Sequence, residues 1–397
     1  MTLSKRISGI EISPTMKVAQ QVKEMQARGE DVIDLSVGEL DYSTPPNVKK
    51  AAQRAIDQNF TKYTINSGMV ELREAICNKL KQENGVDYSP NQIIVSNGAK
   101  QSIFNAIQSI IDDGDEVIFS APFWVSYPEM VSLAQGIPVV VPTDEESGFK
   151  LTPAGLKKSI TSRTKLLILC NPSNPAGSTY SQKELEEIAK IVDENNIFVI
   201  SDEIYEKIIY DENKFVSFAA INKRIKERTI LINGLSKSYA MTGWRIGYAA
   251  GPEYIIQAMN RIQSHSTSNA SSISQAAAVE ALIGTQDFID QMKKDFVKRR
   301  DYMYNELTSI DGISCYKPGG AFYLFPNVSA LFKKSAGEYS IHNSIDMAMY
   351  LLSAARVSVV PGSAFGSEGF IRLSYSASME KLEEAVKRIK MALGKLF

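Results

Sequence analysis

Ile197-Phe198-Val199-Ile200-Ser201-Asp202-Glu203-Ile204-Tyr205 is the stretch whose reading decides the fold. Four apolar residues run without alternation and then give way to two carboxylates. A strand-length run that is apolar on both sides belongs to a strand covered on both faces. Working outward, Leu166-Leu167-Ile168-Leu169 lies upstream and Ile230-Leu231-Ile232 downstream, with Ile93-Ile94-Val95, Val117-Ile118-Phe119 and Pro138-Val139-Val140-Val141 further back. Helix-like segments separate most of these runs. Residues Asn47 to Ile56 have helical apolar spacing directly after two prolines, Val70 to Leu80 repeat the pattern, and Ile103, Phe104, Ile107, Ile110 and Ile111 share one side of a helix that opens at about Gln101. The rhythm predicts an α/β domain around a largely parallel sheet. In such sheets ligands bind where loops leave the carboxyl ends of strands, which directs attention to the residues after Val95, Leu169, Ile200 and Ile232.

Bulk properties narrow the class. The chain has 397 residues, 44% apolar and 22% charged, with a formal net charge of −1. That is a globular composition with no global basic field to recruit nucleic acid or anionic lipid. No apolar run approaches the ~18 residues of a membrane span, and Met1 to Arg6 lack the apolar run of a secretory signal; a cytoplasmic protein is expected. Cys77, Cys170 and Cys315 are far apart and odd in number, so neither a disulfide framework nor a metal site is expected. With His265 and His342 the only histidines, acid–base work falls mainly to Lys, Asp, Glu or Tyr. A long helix, about Phe288 to Leu307, leads to a second unit with strand-like runs at Ala321–Phe325, Val357–Val360 and Phe370–Leu373 and a closing amphipathic helix, Lys381 to Leu393.

Three segments carry chemistry. In Leu235-Ser236-Lys237-Ser238-Tyr239-Ala240-Met241-Thr242-Gly243-Trp244-Arg245 a lysine follows an apolar strand. There it is partly desolvated, which lowers its pKa and frees its amine as a nucleophile. Arg245, eight residues on, is placed to clamp a phosphate. A solvated loop lysine is the commoner occurrence, and a P-loop is ruled out because Ser236 rather than glycine precedes Lys237. Asp202 ends a buried strand and needs a cationic partner, unless it merely caps a helix. Cys170-Asn171-Pro172-Ser173-Asn174-Pro175-Ala176-Gly177 sets two Asn-Pro steps after a strand, a rigid loop that aims side-chain amides at one place.

In this order and spacing the segments resemble the fold-type I, class I/II aminotransferases, and more closely their aspartate aminotransferase branch, from Leu35-Ser36-Val37-Gly38-Glu39 to Arg372. The resemblance implies a large, mostly parallel seven-stranded sheet domain, here residues 46–295, and a smaller α+β domain from residues 1–45 and 296–397. It implies pyridoxal 5′-phosphate as cofactor, joined to Lys237. Asp202 pairs with the pyridine nitrogen, which keeps the ring able to accept electrons, and Tyr205 and Asn174 bond its phenolic oxygen. Backbone amides of Gly98, Ala99 and Lys100 at a helix start receive the phosphate, with Arg245 and Ser236. Trp124 stacks on the ring, although a core aromatic is the ordinary alternative. Tyr63 reaches the phosphate of a neighbouring subunit, making a homodimer with an interfacial site. Arg372 clamps the substrate α-carboxylate rather than forming a structural ion pair, and Gly38 rides on a segment that closes over the substrate.

The same resemblance implies two half-reactions with ping-pong kinetics. Lys100, Ser13 and Thr15 match positions of the aspartate-using branch, so aspartate with 2-oxoglutarate is the expected pair. Prephenate, also dianionic, and aromatic amino acids are alternatives; Gly9, where several prephenate-using members carry arginine, weighs against prephenate. Ala176 replaces the usual threonine after the second Asn-Pro, and Pro318-Gly319-Gly320 replaces Pro-Glu-Gly. Rival expectations are β-elimination on the same cofactor, a ligand-sensing regulator, for which Met1 to Pro46 is too short to hold a winged helix, and a nicotinamide enzyme, for which no Gly-x-Gly-x-x-Gly follows a strand.

Overall fold

The computed structural model describes Ser4, Ile7 and residues 14–397, excepting the side chains of residues 14–17 and 19. After a helix, Pro14–Ala27, and a short strand β1 (Ile33–Asp34), seven strands form the central sheet. They are β2 (Ile93–Ser96), β3 (Glu116–Ala121), β4 (Ile137–Pro142), β5 (Thr164–Cys170), β6 (Phe198–Asp202), β7 (Thr229–Gly234) and β8 (Gly247–Ala250), in the order β2-β8-β7-β6-β5-β3-β4. Every adjacent pair is parallel except the two made by β8.

Six of these strands coincide with the apolar runs; β8 does not. Gly247-Tyr248-Ala249-Ala250 is short and mostly small, and carries no β-branched signal. Both faces of the sheet's interior are covered, as unbroken apolar runs require, whereas the edge strand β4 leaves Ile137 and Val140 exposed. On β7, Ile230 and Ile232 enter one core cluster and Leu231 another; on β2, Ile94 faces the first cluster while Ile93 and Val95 face the second.

The C-terminal runs are cut shorter than expected. Of Ala321–Phe325 only β9 (Tyr323–Leu324) is laddered. A hairpin of β10 (Ser335–Ala336) and β11 (Tyr339–Ser340) follows. Val357–Val360 divides at Val359: β12 (Val357–Ser358) pairs with β1, whereas β13 (Val360–Pro361) joins β14 (Ile371–Ser374) and β9 in a three-stranded antiparallel sheet. The long helix spans Asp287–Thr308 and the closing one Met379–Leu393. One core cluster joins Ile33, Leu35 and Leu40 to Phe322, Leu351 and Val386, so the N-terminal segment packs on the C-terminal unit.

Candidate active site

The carboxyl ends of β2, β5, β6 and β7 lie along one edge of the sheet. Because β8 runs antiparallel, its first residue arrives at that same edge, with Gly247 paired to both Ser96 and Gly234. This brings Arg245, two residues earlier, beside the loop that leaves β2. The helix there opens at Ala99, two residues sooner than the apolar spacing suggested, because Gly98 (φ +90°) turns the chain into it. Space is tight: a Cβ on Gly98 would strike the Arg245 guanidinium, and one on Gly247 would strike the backbone of Gly98 and Ala99. Arg245 donates to the carbonyls of Thr242 (2.8 Å) and Asn97 (3.3 Å), and it has no carboxylate partner among the described residues. A helix N-terminus beside an un-neutralised guanidinium is an anion cradle.

Gly38, Ala99, Lys100, Trp124, Asn174, Asp202, Tyr205, Ser236, Lys237, Arg245 and Arg372 all line one cavity of about 440 Å³. Lys237 Nζ donates to the Gly38 carbonyl at 2.5 Å. Burial lowers its pKa to about 8; Arg372 and Arg245 push the same way, against Glu39 and Asp202. Asp202 is buried, accepting from the Tyr127 hydroxyl (2.7 Å) and the Ile204 amide (3.3 Å). It forms no ion pair among the described residues. Burial raises its carboxyl to about 6, with those two hydrogen bonds and Lys237 pulling it back.

Arg372, on β14, is buried. It donates from Nη1 to Asn174 Oδ1 (2.9 Å) and from Nη2 to the Ser36 carbonyl (2.5 Å), while Nε has no partner among the described residues. Its guanidinium carbon lies 4.5 Å from the Tyr323 ring centre and 5.0 Å from that of Phe365. A buried cation held by neutral groups alone is costly, and the arrangement fits one that receives a carboxylate from solution. Lys100 Nζ lies 5.0 Å over the Trp124 ring, its pKa lowered by burial and by Arg245. Tyr205 and Tyr323 hydroxyls are 2.9 Å apart.

Tyr63 is not brought to this cavity; it is 91% exposed. Ser13 and the side chain of Thr15 lie outside the described residues. Sequence reading missed Tyr127, Tyr323 and Gly247. Tyr127 follows Trp124 at helical spacing and could have been found from that, since its amide bonds the Trp124 carbonyl. Gly247 becomes visible only once β8 is paired. Among the described residues no group of three or more His, Cys, Asp or Glu side chains could hold a metal, and no helix is long and apolar enough to cross a membrane.

Comparison with known proteins agrees with this geometry. The sequence model of the family "Aminotransferase class I and II" matches residues 30–389, and the chain belongs to that family. It is 49% identical over 397 residues to a probable aspartate/prephenate aminotransferase of Rickettsia felis, covering 99% of this chain and 97% of that one. It is 45% identical over 395 residues to the aspartate aminotransferase of Bacillus subtilis, covering 100% of each. The crystal structure of the aspartate aminotransferase from Rhizobium meliloti superposes with a TM-score of 0.97 at 43% identity over 100% of both chains. The fold is therefore the fold-type I architecture that the sequence resembled, and the chain is an aminotransferase.

Proposed function

We propose that this aminotransferase binds pyridoxal 5′-phosphate through Lys237 and moves an amino group from a dicarboxylic L-amino acid, aspartate first, to 2-oxoglutarate. One observation carries the reading: a low-pKa amine, a buried carboxylate and a buried guanidinium face one cavity, and neither of the last two has an oppositely charged ion-pair partner among the described residues. The residues fit the cofactor. The Gly98–Lys100 amides, Ser236 and Arg245 suit its phosphate, Asp202 a protonated ring nitrogen, Tyr205 and Asn174 the phenolic oxygen, and Trp124 the ring face. Bound there, pyridoxal phosphate would supply an aldehyde that links to amines and a ring that accepts electrons from a breaking Cα–H bond.

The chain's own groups do the rest. Asp202, held by Tyr127, keeps a positive charge on its neighbour, and burial makes that pairing stronger than it would be in water. Lys237 Nζ, as the free amine, takes the proton from Cα and would hand it on to the cofactor rather than back to Cα, which is what makes the exchange a transfer. A lysine pKa of about 8 leaves a useful share of free base near neutral pH. Arg372 fixes the α-carboxylate, with Asn174 holding its Nη1. Lys100 receives the second carboxylate. The segment bearing Gly38 closes and excludes water.

Tyr63, exposed in the single chain, is assigned to the phosphate of a neighbouring subunit, in a cytoplasmic homodimer. Residues 46–295 form the cofactor-binding domain, and residues 1–45 with 296–397 the smaller one. Prephenate as amino acceptor is the second reading, supported by the name of the Rickettsia felis relative.

A half-reaction screen tests the proposal. The loaded enzyme is mixed with each amino acid and with arogenate, and the cofactor absorbance is followed. Aspartate and glutamate should convert the chromophore fastest, joined by arogenate if the second reading holds. Conversion by neutral amino acids with neither acidic one reacting would contradict the substrate assignment.

A further inference from the structure

Tyr323 stands where three parts of the site meet. It is fully buried on β9. Its ring lies 4.5 Å from the Arg372 guanidinium carbon, and its hydroxyl is 2.9 Å from that of Tyr205. A Cβ on Gly38 would collide with the same hydroxyl, and the Gly38 carbonyl accepts from Lys237. Each phenol has the other as its side-chain partner, and either oxygen could be the donor.

We propose that Tyr323 is a positioning residue, whose hydroxyl donates to Tyr205 and so turns the Tyr205 proton into the cleft, while its ring backs the Arg372 guanidinium. This rests on the reading that the cofactor is joined to Lys237. If Tyr205 gives its proton to the cofactor's phenolic oxygen, its own oxygen is free to accept, and Tyr323 is the donor in place. Linked hydrogen bonds polarise one another, so the Tyr205 bond into the cleft is strengthened. The aromatic face meanwhile offsets part of the cost of burying a guanidinium that has no carboxylate partner among the described residues. The charged and titratable groups that face these phenols and Lys237 are Arg372, Arg245, Glu39, Asp202 and Cys170; none is altered in the test.

Spectrophotometric pH titration of the loaded enzyme reads the effect without turnover. Tyr323→Phe should move the midpoint of the visible transition upward by ~0.3 to 1, and in a Tyr205→Phe background it should add nothing further. A downward shift, no shift, or an equal shift in both backgrounds overturns the hydrogen-bond role. Maleate binding, measured below both midpoints, reads the ring. Tyr323→Phe should leave its dissociation constant within about twofold, and Tyr323→Leu should weaken it roughly 3- to 10-fold. Equal weakening by both variants overturns the ring's role, and the phenylalanine arm stands whether or not the leucine variant folds. A wild type that never shows the visible transition overturns the Lys237 reading itself, and this one with it.

Discussion

Arg372 and Asn174, 198 residues apart, meet through a hydrogen bond of 2.9 Å from Nη1 to Oδ1. The bond ties β14 of the small antiparallel sheet to the double Asn-Pro loop after β5, and it leaves the guanidinium facing the cavity.

The substrate clamp follows from that placement. Arg372 has a fork of donors and no carboxylate partner among the described residues, so an incoming α-carboxylate completes it. Arg372→Lys keeps the charge and loses the fork. The expected outcome is a rise in KM for dicarboxylic substrates of about 10- to 100-fold or more, measured by steady-state kinetics. An unchanged KM would remove the clamp.

Lys100 is the candidate for side-chain selection. Lys100→Ala should reduce kcat/KM for aspartate by ~10-fold or more while leaving the slow reaction of alanine almost unaffected. Equal losses with both amino acids would assign Lys100 to the cofactor instead.

Asp202 predicts a conflict between stability and function. Its folded pKa, about 6, lies above the ordinary 3.8, so without cofactor the folded state binds the proton more tightly than the unfolded one. Its contribution is favourable below pH ~4 and is lost as pH rises through about 6. Above that the buried charge costs about 3 kcal/mol, to order of magnitude. Asp202→Asn, stripped of cofactor, should therefore unfold later in urea than the wild type at pH 7.5, with the gap closing towards pH 4. The same variant should hold the cofactor far less tightly. A variant that is less stable across the whole range would contradict the burial argument.

Gly38 leaves room for the Tyr323 hydroxyl. Gly38→Ala should impair substrate binding, and adding Tyr323→Phe should restore part of it, because the next Tyr323 atom lies 3.5 Å from the new Cβ. Additive losses in the double variant would show that the two positions do not oppose each other.

The sheet was legible in the sequence because six of its seven strands leave unbroken apolar runs, five of them buried on both faces and the edge strand β4 partly exposed. The eighth strand of the chain, Gly247–Ala250, escaped because it is four residues long, has no β-branched residue and opens on a glycine that close approach to Gly98 and Ala99 demands. Lys237, Asp202, Asn174 and Arg245 could be picked out because each follows or adjoins a strand end in a recognisable segment. Tyr323 could not, since a tyrosine inside an apolar stretch looks the same whether its hydroxyl serves a site or only the core. The division of Val357–Val360 between two sheets was hidden for a similar reason: β-branched residues suit either ladder.

The central claim is that one amine, on Lys237, carries the cofactor. Protein loaded with pyridoxal phosphate, reduced with borohydride and digested, should yield a single modified peptide, the one containing Lys237, and Lys237→Ala should yield none. Modification at Lys100 or spread over surface lysines, with the Lys237 peptide unmodified, would contradict the account.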